Sequence, residues 1–213
     1  MRKKDLDRGR FITLEGGEGV GKTTNLTFVT ELLEQNGNEV LVTREPGGTE
    51  VGESIRALLL DNDESVMDGL TELLMIFAAR SEHIKRIITP ALESGVWVLC
   101  DRFTDATYAY QGGGRGVNTE VIDHLAEIVQ GGLWPDLTIY LDASVSISAE
   151  RIANRSLDRI ENEDKAFFER VRNTYRQRAL SSPRIRIVNA NHSLDEVQRN
   201  IRQVMSEFLG LEH

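Results

Sequence analysis

Apolar positions recur along the chain with two periods that alternate. Residues 11–15 form a short apolar run that stops at a glycine cluster, as a buried strand would. Leu26, Val29 and Leu33 then fall at helical spacing, with Gly37 where a helix C-terminal glycine is expected. Residues 39–43 read as a second strand, and Val51, Ile55, Leu58 and Leu59 mark the next helix. Leu70, Leu73, Phe77, Ile84 and Ile88 form the stripe of a long helix that Pro90 should kink or end. Residues 96–100 are apolar throughout, which suits a parallel strand covered on both faces. Val121, Ile122, Leu125 and Ile128 give another helix, and Pro135 precedes a fourth strand at 137–141. Two helical patterns follow, then a fifth strand at 184–188. Ser193 and Glu196 have capping-box spacing ahead of a last helix whose Val197, Ile201, Val204 and Phe208 share a face.

Five strands separated by helices predict an α/β fold, a five-stranded parallel sheet with helices on both faces. In such sheets ligands sit beyond the carboxyl ends of the strands, so the chemistry should follow each strand directly. A length of 213 residues fits a single domain, placed at residues 10–210. Residues 1–9 are charged, with no apolar h-region, and read as a disordered polar tail rather than a signal peptide. Residues 211–213 resemble the start of a vector-derived tag and are left out of the fold reading.

Composition narrows the function classes. The net charge of -9 argues against a non-specific nucleic-acid binder but allows a nucleotide enzyme with a few cations in one cleft. No apolar run is long enough to span a bilayer, so no membrane partner is expected. The one cysteine, Cys100, lies in an apolar run, which reads as a core residue and makes a cytoplasmic setting natural.

The first strand is followed by Gly16-Gly17-Glu18-Gly19-Val20-Gly21-Lys22-Thr23, the full G-x-x-x-x-G-K-[ST] phosphate loop, with Thr24 next. Its glycines let backbone N–H groups turn around a phosphate, Lys22 can reach the β- and γ-phosphates, and the Thr23 hydroxyl can coordinate Mg²⁺. ATP bound here is the expected donor. A guanine-specifying N-K-x-D is absent, as is an apolar strand ending in Asp-Glu, so a small-molecule kinase is favoured over a GTPase or a motor.

The acceptor side is read from the next strand ends. Arg44-Glu45-Pro46-Gly47-Gly48-Thr49 follows the second strand, and Pro46 keeps Glu45 extended. Asp101-Arg102-Phe103 follows the third: Asp101 can hold Mg²⁺ or its water, and the Arg102 fork suits an acceptor phosphate. Arg56 and Arg80 lie on helices that would border the same cleft. The stretch from Thr107 through Tyr110 and Gln111 to Gly116 supplies groups able to read a base, and its glycines suggest a segment that packs closely or moves.

With these pieces in family order, the chain resembles the bacterial thymidylate kinases. Phe77-Ala78-Ala79-Arg80 and Leu157-Asp158-Arg159-Ile160-Glu161 add to the match, while Glu45-Pro46-Gly47-Gly48 and Tyr110-Gln111-Gly112-Gly113-Gly114-Arg115 carry the most specificity. The resemblance implies a P-loop NTPase fold with a short helical lid at about 151–162, ATP and dTMP as substrates, Mg²⁺ as cofactor, and a homodimer formed through the long helices. It implies that Arg80 and Gln111 recognise thymine with Thr107 close by, that Arg102 and Arg56 lie near the dTMP phosphate, and that Glu18 meets the sugar 3′-hydroxyl. Backbone contacts to adenine would come from Asn189 and Ala190. The family's usual base-stacking aromatic is replaced here by Ile76. Either Ile76 makes an apolar contact, or the helix shifts and Phe77 stacks.

Arg151, Arg155 and Arg159 are spaced by four and would share one face of a helix. The phosphate loop carries no arginine, so the resemblance assigns transition-state stabilisation to the lid, to Arg155 with Arg151 and Arg159 assisting. Two other readings stay open: a kinase for another pyrimidine monophosphate such as dUMP, and a nucleotide-binding module without turnover.

Overall fold

The computed structural model describes residues 8–61, 67–153 and 157–211. The sheet contains β1 (Phe11–Gly16), β2 (Val40–Arg44), β3 (Trp97–Asp101), β4 (Leu137–Asp142) and β5 (Ile185–Asn189). All pairings are parallel, in the order β2-β3-β1-β4-β5. β1 and β4 are buried along their whole length, as expected for central strands covered on both faces. The α/β doubly covered sheet expected from the sequence is the fold observed.

Side-chain alternation along β1 divides the core. Ile12 and Leu14 point to one face, where they meet Val29 and Leu33 of α1 (Lys22–Gln35) and Val197, Ile201 and Met205 of α9 (Leu194–Leu209). Phe11 points to the other face and packs with Val98, Cys100 and Phe103, against Ile84, Ile88 and Leu92. Beyond that layer lie α2 (Glu50–Leu60), α3 (Gly69–His83) and α6 (Thr119–Gln130), while α8 (Lys165–Ser181) packs Phe167, Val171 and Tyr175 directly against Tyr140 of β4 and Ile185 of β5.

Pro90 does not end the long helix. α3 runs into a π-helical turn at Ile84–Ile88 and on into α4 (Thr89–Glu93), with Pro90 in its first turn. The wider turn makes room for the proline ring and its missing donor. The capping box at Ser193 is also not formed: Ser193 is the N-cap, but its side chain makes no capping bond. Within the segment expected as a tail, Gly9 is anchored, its N–H donating to the Leu92 carbonyl at 2.9 Å. The rest of that segment before Arg8, and the last two residues, lie outside the described residues.

Candidate active site

The ends of β1, β2 and β3 open into one cavity of about 730 Å³. After β1 the chain turns through Gly19 and Gly21, both with positive φ, and Lys22 begins α1. Glycine is required at 19, where a Cβ would lie 2.4 Å from the Ser148 carbonyl oxygen. Glu18, Gly19, Gly21, Lys22, Thr23 and Thr24 line the cavity. Gly16 packs inward instead, and Gly17 and Val20 border a second hollow of about 380 Å³ beside α7 (Val145–Ile152) and α8. The Lys22 ammonium donates to the Gly17 carbonyl at 2.8 Å. Burial, and then the nearby Arg102 charge, pull its pKa below the ordinary value.

After β2, Glu45 precedes a cis peptide to Pro46, and both line the cavity. The buried Glu45 carboxylate accepts from Arg80 Nε at 2.7 Å and bonds His83 Nδ1 at 2.9 Å, while His83 Nε2 lies 2.7 Å from Thr43 Oγ1. Arg56 Nη1 donates to the Pro46 carbonyl, which holds the guanidinium at the rim of the cavity.

After β3, Arg102 adopts φ 70°, the one non-glycine residue with positive φ among those described. That turn sends its guanidinium toward the phosphate loop, where it bonds the Glu18 carboxylate and, at 3.1 Å, the Tyr110 hydroxyl. The Tyr110 ring lies under the guanidinium, 4.7 Å away. Glu15, wholly buried in β1, accepts from Phe103 N–H and the Tyr175 hydroxyl, each at 2.7 Å, and so fixes the backbone beside Arg102.

Among the described residues six cations line the cavity, Lys22, Arg44, Arg56, Arg80, Arg102 and Arg151, beside five carboxylates, Glu18, Glu45, Asp101, Asp158 and Glu161. Cations in excess suit a polyanion. Thr23 and Asp101 stand in the same lining, and Asp101 Oδ1 is buried without a hydrogen-bond partner among the described residues. These oxygens fit a hard divalent cation such as Mg²⁺.

The opposite wall contains Ile76, Arg80, Thr107, Tyr110 and Gln111. Arg80 Nη2 donates to Thr107 Oγ1 at 2.9 Å, and Arg80 Nη1 is buried with no hydrogen-bond partner among the described residues. Ile76 borders the cavity, whereas Phe77 packs in the core with Leu73, Tyr108, Ile122 and Ala126.

A sequence profile of the thymidylate kinase family matches residues 14–201. The chain belongs to the thymidylate kinase family. It is 52% identical over 203 residues to the thymidylate kinase of Teredinibacter turnerae, covering 94% of this chain and 99% of that relative. The thymidylate kinases of Nitrosospira multiformis (50% identity, 92% of this chain, 96% of the relative) and Pseudomonas syringae pv. tomato (52%, 96% and 98%) are similar over as much of their length.

Against the thymidylate kinase pattern, two expectations need correction. Arg151 and Arg159 do not share a helical face. α7 ends at Ile152, and Asp158 Oδ1 accepts the N–H groups of Ile160 and Glu161, closing a turn in place of a helix. Arg159 leaves the cavity: it donates to Glu72 at 2.7 Å and to the Leu59 carbonyl at 2.9 Å. Arg151 does line the cavity and reaches toward the Gly19 carbonyl, while Arg155 lies outside the described residues. Asn189 and Ala190 are not in the lining, and the Ala190 N–H is already taken by the Asp142 carbonyl.

The sequence reading passed over Glu15, Glu72 and His83. Each is a titratable side chain buried among cavity residues. Glu15 alone carried a signal, a carboxylate inside an apolar strand.

Proposed function

We propose that the chain transfers the γ-phosphate of ATP to dTMP, giving dTDP and ADP. The observation that carries this is the cavity itself, where the phosphate loop and the Arg80–Gln111 wall face one space beyond three strand ends. Lys22 and the loop N–H groups hold the β- and γ-phosphates. Arg102, aided by Arg56, holds the acceptor phosphate. Glu18 meets the sugar 3′-hydroxyl. The Arg80 Nη1 donor and the Gln111 amide face thymine, with Ile76 as the apolar contact. Thr23 and Asp101 would hold Mg²⁺, which would supply charge neutralisation at the transferring group. Phosphoryl transfer asks mainly for positioning and cations, and the acceptor phosphate is already ionised, so no strong general base is needed. Arg155 is the lid cation that stabilises the transferring group, and Arg151, which lines the cavity, assists it.

ADP release measured with dTMP, dUMP and dCMP as acceptors tests this reading. Turnover with dTMP at the highest kcat/KM supports it. Higher turnover with dUMP would move the substrate to another pyrimidine monophosphate, and no turnover with any of them would reduce the chain to a nucleotide-binding module. In the same assay, Arg155→Ala should lower kcat by about 10²–10³ with KM held. An equally fast variant would leave Arg151 as the lid cation.

A homodimer is part of the reading. Leu58 of α2, Leu70 and Leu74 of α3, and Ile128 of α6 are exposed, Ile128 at 78%, on helices that pack on one another. Apolar faces of this kind are covered by association. Light scattering at the mass of two chains supports it, and a monomer at assay concentration sinks it. The cytoplasm remains the proposed compartment, supported by the buried, unpaired Cys100.

A further inference from the structure

Glu72 sits in the first turn of α3, 1% exposed, and gathers donors from three side chains on two segments of the chain. Gln111 Nε2 donates to its Oε1 at 2.6 Å. Arg159 Nη2 reaches its Oε2 at 2.7 Å, and Arg115 bridges both oxygens at 3.3 and 3.4 Å. Of these partners, Gln111 lines the cavity.

A carboxylate offers lone pairs and no proton, so only the NH₂ end of the Gln111 amide can face it. The amide oxygen is thereby left for the cavity. The same cavity lining includes Arg80, whose Nη1 is a donor with no hydrogen-bond partner among the described residues. An acceptor and a donor in one lining match a base edge that offers a ring N–H next to a carbonyl, as thymine and uracil do. Cytosine presents the reverse pattern, an amino group next to a bare ring nitrogen.

We propose that Glu72 is a positioning residue that sets base specificity by fixing which end of the Gln111 amide faces the acceptor. Arg115 and Arg159 hold the carboxylate in place, so it can neither rotate away nor admit the opposite amide orientation. This inference rests on the reading of the Gln111 wall as the base subsite.

The test is the ratio of kcat/KM for dTMP over dCMP. Glu72→Gln keeps the volume but gives position 72 an amide of its own, so Gln111 can bond it in either orientation. The ratio should fall by about tenfold or more, because dTMP loses an acceptor while dCMP gains a donor. A structural defect would instead lower both substrates alike, and an unchanged ratio overturns the proposal. The double variant Glu72→Gln with Gln111→Glu restores an acceptor-only group at 111, bonded to an amide at 72, with the charge count conserved. It should recover the dTMP preference. If the single variant does not fold, the double variant decides alone: a retained preference supports the proposal and a lost one overturns it. Gln111→Ala separates the two levels. If that change leaves the ratio untouched, the base-subsite reading fails and the role of Glu72 with it. If it collapses the ratio while Glu72→Gln does not, only the role of Glu72 is lost.

Discussion

Arg80 Nε lies 2.7 Å from Glu45 Oε2, and neither side chain reaches solvent. The pair joins α3 to the loop after β2 and leaves Arg80 Nη1 as the buried donor of the cavity wall. Losing the charge on Glu45 should free Arg80 to reorient without emptying the site. Glu45→Gln is therefore expected to raise KM for dTMP about tenfold with a smaller change in kcat. Steady-state kinetics at saturating ATP would show it, and an unchanged KM would remove Glu45 from the acceptor machinery.

Lys22 should behave differently, because in the proposed transfer its ammonium would face charge that moves. Lys22→Ala should cost about 10²–10³ in kcat and leave dTMP binding nearly intact. Isothermal titration with dTMP alone, set beside single-turnover rates, separates the two quantities.

Ile76 and Phe77 are neighbours in sequence with opposite assignments. Phe77→Ala removes a ring that is 2% exposed and should destabilise the fold by about 3–5 kcal/mol in urea unfolding. Ile76→Ala should chiefly raise KM for dTMP. Equal effects of the two changes on both measurements would contradict the helix register.

This pair also indicates how much the sequence could tell. Strand order of appearance, the phosphate loop and the residues just past each strand were readable, because periodicity and turn chemistry are local. Each strand end was misplaced by one residue where Arg44 and Asp101 continue the ladder into the site. Glu72 was not readable. A glutamate near a helix start reads as a solvated helix-dipole partner, and its bonding partners lie 39 and 87 residues away. Arg159 was misread for a related reason: spacing by four suggested a helix that Asp158 breaks by capping a turn.

Burial, and then the charge of Asp105, push the Glu15 carboxyl up to about 8, against the bond from Tyr175, the charge of Arg102 and the Phe103 N–H. The folded chain thus holds this proton more tightly than the unfolded chain, where the ordinary value is 4.5. The stability Glu15 contributes is fully present below pH 4.5 and is lost as pH rises toward 8. Glu15→Gln cannot titrate. The Tm of the wild type minus that of the variant should therefore fall steadily between about pH 5 and 8. A difference that stays flat across that range would contradict the raised pKa.

Gly113 and Gly114 bring the segment below the acceptor against α8 with no side chain between them. A Cβ on Gly113 would lie 2.1 Å from Thr174 Oγ1, and one on Gly114 would lie 2.4 Å from the Phe167 ring. The sequence allowed these glycines to mean either close packing or motion, and close packing is what they serve. Contact this close should make pocket and helix a single cooperative unit. Loss of bound dTMP and loss of helical signal on heating should trace one melting curve.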